Sequence, residues 1–153
     1  MQVLFAPPTD HDIQHVAAHM RAADVAECEA CGFTDMVAVL RDEVAISALC
    51  WAVRIDGEPA ALLGVAPLNG LMGDTGVPWL LGTELVTRNR RAFIRTSRAY
   101  IGRMHTAFEH LLNFVHAENT QAVRWLKHAG FAVHPAVPFG PKGALFHPFE
   151  KRA

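Results

Sequence analysis

Cysteine is scarce in this chain of 153 residues: Cys28, Cys31 and Cys50 are the three it has. An odd count with only one close pair excludes a disulfide framework. A lone Cys-x-x-Cys without a second Cys or His pair at ligand spacing does not make a zinc site, so the thiols read as reduced and structural. Long hydrophobic runs are missing too. None approaches the roughly 18–20 residues that cross a bilayer, so no membrane segment is expected. The opening stretch MQVLFAPPTDHDI has neither the basic start nor the long apolar core of a secretory signal, and the expectation is a protein that is not secreted. There is no nucleophile elbow, no Walker loop and no dinucleotide fingerprint. Tyrosine occurs once, at Tyr100. Acidic residues vanish between Leu85 and Phe108, a stretch that holds Arg88, Arg90, Arg91, Arg95, Arg98 and Arg103.

What is present is a globular composition. Hydrophobic residues make up 51% and charged residues 19%, which is too apolar for a disordered chain. The length fits one domain, residues 1–153, able to bury a core without staples. A net charge of −1 conceals a division, because eight of the fifteen acids lie in the first 43 residues. An acid-free arginine block attracts phosphate, nucleic acid or an acidic protein face. A nucleic-acid module is basic over the whole domain, so nucleic-acid binding here is expected to be weak. Arg91, Arg95 and Arg98 share one helical face and are the candidate partner-binding residues. His11, His15 and His19 fall at i, i+4 and i+8, a spacing that suits a transition metal. They read instead as a solvent-facing row, and no metal site is expected.

Periodicity gives the elements. Val3–Phe5 reads as a strand broken by Pro7 and Pro8, with Thr9 or Asp10 capping the helix that follows. Ile13, Val16, Ala17 and Met20 recur at helical spacing. Helices are expected at Ala23–Ala30, stopped by Gly32, and from Thr34 to Leu40 and beyond. Trp51, Val53 and Ile55 alternate with smaller or polar residues, and Asp56-Gly57 signals a two-residue hairpin turn into Ala60–Val65. Gly70, Gly73 and Gly76 are placed in a loop, Val77–Val86 in a central strand and Asn89–His105 in a long helix. That helix has a core stripe of Phe93, Ser97, Tyr100, Ile101, Met104 and Phe108. His110–His116 reads as a buried strand, Asn119–Ala129 as a helix ended by Gly130, and Phe131–His134 and Ala144–Phe149 as closing strands. The order β, helices, β, β, β, α, β, α, β, β is a mixed α/β architecture.

The segment NTQAVRWLKHAGF resembles the last motif of the GNAT N-acetyltransferases: Asn119 opens a helix, Ala122 follows three residues on, and Gly130-Phe131 ends it. A narrower resemblance covers residues 77 to 149 through PWLLGT, RRAFIR, LLNFVHAENT, RWLKHAGF and ALFHPF. In order and spacing these are similar to the internal virion protein A family of short-tailed phages. Arg21, Asp24 and Glu27 are similar to an Arg-x-x-Asp-x-x-Glu pattern of those bacteriophage proteins. The resemblance implies a GNAT-like acyl-CoA N-acyltransferase fold, with the Val77–Val86 and His110–His116 strands as parallel neighbours splayed at their C-terminal ends. It also implies a virion protein of the internal core or assembly, located in the virion interior or host cytoplasm, whose partners are other virion proteins or copies of itself.

The chain departs from the enzymes of that fold. Their strand-to-helix loop is glycine-rich because the pyrophosphate of acetyl-CoA approaches its backbone N–H groups closely, yet TRNRRAFIRT (Thr87–Thr96) has no glycine. Where many of them place the tyrosine that protonates the departing thiolate, this chain has Leu126. The expectation is a non-catalytic binding scaffold without a cofactor, the alternative being a CoA-dependent N-acetyltransferase with an atypical pyrophosphate site. For that alternative, Glu84, His116 and Glu118 are the candidate catalytic residues, and Arg88, Arg90, Arg91 and Asn119 the candidate residues for holding acetyl-CoA.

Overall fold

Neither Pro7 nor Pro8 can donate to a strand ladder, and strand β1 (Val3–Ala6) ends before them in the computed structural model, which describes residues 1–70 and 73–153. Thr9 then opens helix α1 (Asp10–Ala18) with a reciprocal cap. Its hydroxyl accepts the Asp12 N–H (3.2 Å) and the Asp12 carboxylate accepts the Thr9 N–H (2.8 Å), which satisfies two donors the helix cannot satisfy itself. Helix α2 (Ala22–Ala30) stops at Gly32, whose φ of +90° is a left-handed position that glycine takes without strain. Helix α3 (Met36–Ile46) starts after the Asp35 cap rather than at Thr34.

Strands β2 (Leu49–Ile55) and β3 (Glu58–Pro67) form the expected hairpin around Asp56 and Gly57, both at positive φ (+49° and +82°), as a primed turn requires. The next expectation needs correcting. Gly76 is not in a loop; it lies inside β4 (Thr75–Gly82), where a Cβ would stand 2.6 Å from the Phe108 ring and from Val65. Part of that loop expectation, Leu71 and Met72, lies outside the described residues. The strand expected to run to Val86 ends at Gly82. Thr83 accepts the Leu85 N–H (3.3 Å) with its own hydroxyl and starts a one-turn helix, α4 (Glu84–Arg88), so a cap overrides an apolar pattern that suited a strand.

Helix α5 (Arg90–Ala107), strand β5 (His110–His116) and helix α6 (Thr120–His128) follow as expected. In β5 only Leu111 and Val115 are buried, so the strand is not wholly interior. The closing strands are three rather than two. Between β6 (Ala132–Val133) and β8 (Ala144–Arg152) lies β7 (Val137–Phe139), which forms a hairpin with the start of β8.

Among the described residues, eight strands form one mixed sheet in the order β1-β2-β3-β4-β5-β8-β6, with β7 also on β8. β4 and β5 are its parallel pair; the other pairings are antiparallel. Strand alternation sends Ala52, Leu62, Trp79 and Leu81 to one face, where they pack with Ile13, Val16, Cys28 and Leu40 of α1–α3. Val53, Leu63, Val65 and Leu111 face the other way, onto Phe93, Ile101 and Met104 of α5 and Leu126 of α6. Burying each Val, Leu, Ile, Phe or Met among these contributes about 1.5–3 kcal/mol. The chain is thus a three-layer α/β unit with α1–α3 on one side of the sheet and α5–α6 on the other.

Candidate functional site: the cleft between two parting strands

β4 and β5 are paired only at their starts, Thr75 opposite His110 and Gly76 opposite Leu111. The Asn113 side chain donates to the Pro78 carbonyl (2.7 Å) a little further on. Beyond that bridge the strands part, as expected of neighbours joined through α5. A cleft of about 1140 Å³ fills the gap. Its lining comes from both faces of the sheet, with Phe33, Val39 and Glu43 on the α2–α3 side and Phe93, Arg124 and Trp125 on the α5–α6 side.

The wide end of the gap is crossed by α2. Residues three apart on a helix share a face, and this places Arg21, Asp24 and Glu27 together over the strand ends. One Asp24 oxygen accepts the Gly82 N–H at the end of β4 (3.0 Å), and the other accepts the Asn119 side-chain amide (3.0 Å) and Arg21 (3.0 Å). Glu27 accepts the His116 N–H at the end of β5 (2.6 Å). Arg21 also donates to Gln121 (3.1 Å), to which the Thr87 hydroxyl donates as well (3.2 Å). Asn119 accepts the Ala122 N–H at 3.4 Å, the expected cap of α6, and Arg21 reaches its oxygen at 3.5 Å. One polar network therefore ties α2, both strand ends, α4 and α6.

Burial raises the Asp24 carboxyl above the ordinary range against the pull of Arg21, the Gly82 N–H and Asn119. Burial also lifts Glu27 to about 7, opposed by the His116 N–H and reinforced by the Asp24 charge. Cys28, beside them in the lining, is pushed up to about 12, again chiefly by burial, so its thiol stays protonated and unreactive at neutral pH.

The residues singled out for catalysis do not meet in this cleft. Glu84 is exposed in the first turn of α4, not on the central strand, and lines a separate small pocket with Arg88, His15 and His19. The His116 ring lies 5.1 Å from the Phe146 ring, and neither His116 nor the exposed Glu118 lines the cleft. Arg90, Arg91 and Asn119 do line it; Arg88 does not. Arg95 and Arg98 are exposed on α5, and Arg98 donates to the His128 carbonyl (3.1 Å). The His15 and His19 rings stack at 4.4 Å, and no group of three or more potential ligands suited to a metal occurs among the described residues. Of the residues that organise the site, Arg21, Asp24 and Glu27 were visible in sequence as an Arg-x-x-Asp-x-x-Glu spacing, whereas Thr87 and Gln121 carried no signal of their own.

No family model and no curated protein sequence matches this chain. Solved structures do. The GNAT-family acetyltransferase from Bacillus anthracis superposes with a TM-score of 0.72 at 11% identity, covering 99% of this chain and 95% of that one. Aminoglycoside acetyltransferase AAC(6')-Ib in complex with coenzyme A gives 0.71 at 16%, covering 99% and 95%. An acetyltransferase from Thermus thermophilus gives 0.66 at 15%, covering 100% and 98%. The fold is that of the GNAT acyltransferases.

At the end of β4 the backbone N–H groups are committed within the protein. The N–H groups of Gly82, Thr83, Leu85 and Val86 are already given to Asp24, the Ala60 carbonyl, the Thr83 hydroxyl and the Thr83 carbonyl. Leu126, in place of the tyrosine, is buried in the α5–α6 core.

Proposed function

We propose that this protein is a non-catalytic binding scaffold on the GNAT fold, a phage virion-associated protein of the internal core or assembly. Its expected place is the virion interior or the host cytoplasm. The observation that carries the scaffold reading is the bridge from α2. Asp24 and Glu27 take the terminal N–H groups of β4 and β5, so the donors at the mouth of the cleft serve the fold rather than a ligand. The assignment to phage rests on the sequence resemblance, to which Arg21, Asp24 and Glu27 belong. Calorimetry with acetyl-CoA at physiological concentration tests the scaffold reading: no binding is expected, and saturable binding at micromolar levels overturns it.

One observation favours the alternative, a CoA-dependent N-acetyltransferase with an atypical pyrophosphate site. Arg90, Arg91 and Arg124 line the cleft, and the start of α5 carries no side-chain cap. Arginine side chains pair with phosphate without a backbone cradle. On that reading the double variant Arg90→Gln, Arg91→Gln abolishes whatever acetyl-CoA binding the wild type shows.

A further inference from the structure

The charge division in the sequence becomes a division between the two faces of the sheet. Helices α5 and α6 hold Arg90, Arg91, Arg95, Arg98, Arg103, Arg124 and Lys127 and no acid. None of those seven makes an ion pair among the described residues. The opposite layer carries the acids. Glu29, Asp35 and Asp42 are exposed on α2–α3 without a cation partner among the described residues, and Asp10 is paired only with Arg41 (3.1 Å). Two large apolar side chains, Phe33 (55% exposed) and Ile46 (59%), stand in that acidic layer. The cleft connects the two patches: Phe33, Asp35, Asp42 and Ile46 surround its mouth on one face, and Arg90, Arg91 and Arg124 on the other.

We propose that this protein associates with copies of itself face to back, the arginine face of α5–α6 on one protomer docking against the acidic α2–α3 face of the next. Charge complementarity selects this occupant. A single-signed protein would repel its copies, whereas a plate with opposite signs on its two faces attracts them in one orientation. Guanidinium groups suit the contact because they are weakly hydrated and pair with carboxylates through two hydrogen bonds. The exposed Phe33 and Ile46 give the acidic side an apolar centre, the usual anatomy of an interface core inside a charged rim. Two different faces meet, so the contact is heterologous and builds a ring or a filament rather than a two-fold dimer. The inference rests on the scaffold reading for its purpose but not for its test, since acetyl-CoA binding decides the one and self-association the other.

Sedimentation velocity over a range of protein and salt concentrations reads the outcome. Wild type is expected to associate at low ionic strength and to dissociate at about 0.5 M salt, where exposed charges are screened. The double variants Arg91→Glu, Arg95→Glu and Glu29→Lys, Asp42→Lys, at exposed residues that make no side-chain hydrogen bond among the described residues, are each expected to remain monomeric with an unchanged circular dichroism spectrum. Mixing the two reversed variants restores the contact, so a salt-sensitive complex forms from proteins that are monomeric alone. A wild type that stays monomeric at low salt overturns the proposal. So does association that survives both reversals, or a mixture that does not assemble. If a reversed variant misfolds, the single substitutions Arg95→Gln and Asp42→Asn serve in its place, and association that neither weakens also overturns it.

Discussion

The Asn119 side-chain amide donates to the Asp24 carboxylate at 3.0 Å, across 95 residues of sequence. Both side chains are buried, Asn119 at 1% exposure and Asp24 at 4%. The contact joins the cap of α6 to the carboxylate that holds the end of β4, so the two strands that part around the cleft are fixed relative to each other at their free ends.

Asn119 therefore does more than cap a helix. A cap alone is worth about 0.5–2 kcal/mol, and leaving the buried Asp24 with one partner fewer adds about 1–3 kcal/mol. Asn119→Ala is expected to cost about 1.5–5 kcal/mol in urea denaturation. In a double-mutant cycle with Asp24→Asn the two losses should be non-additive by about 1 kcal/mol or more. Additive losses would show that the pair is not coupled.

Glu27 makes stability fall as pH rises. Its folded-state value of about 7 lies above the ordinary 4.5, so the folded protein holds a proton that the unfolded chain gives up in between. The contribution is fully present below pH 4.5 and is lost as pH rises through about 7. Glu27→Gln keeps an oxygen for the His116 N–H and removes the titration. Relative to wild type, the variant is expected to gain on the order of 2–3 kcal/mol between about pH 4.5 and about pH 8. A difference that does not change with pH would falsify the role given to this carboxyl.

Two glycines separate packing from propensity. Gly76→Ala pushes a methyl to within 2.6 Å of Phe108 and Val65 and is expected to destabilise by about 1–3 kcal/mol. Gly102, exposed in the interior of α5, has nothing within 4 Å of its Cβ position, and Gly102→Ala should stabilise by about 0.5–1 kcal/mol. Thermal melts of the two variants should move in opposite directions; a tolerated Gly76→Ala means the sheet yields at that point.

Features governed by short-range chemistry were legible in the order of residues alone. Thr9 and Asn119 mark helix starts because their side-chain oxygens reach N–H groups only three residues away. Asp56-Gly57 marks the hairpin because a two-residue turn needs positive φ. The absence of glycine from Thr87–Thr96 was equally plain. Long-range packing settled the rest. One local choice was hidden as well: Glu84 left the central strand because the Thr83 cap outcompeted an apolar pattern that a strand and a short helix share. β7 escaped notice because three exposed residues carry no periodicity. Above all, Arg21, Asp24 and Glu27 became the centre of the site only when α2 was laid across strands ending at Gly82 and His116. A carboxylate on a helix face reads the same whether it meets water or a strand's last N–H, and only the packing of distant elements chooses between them.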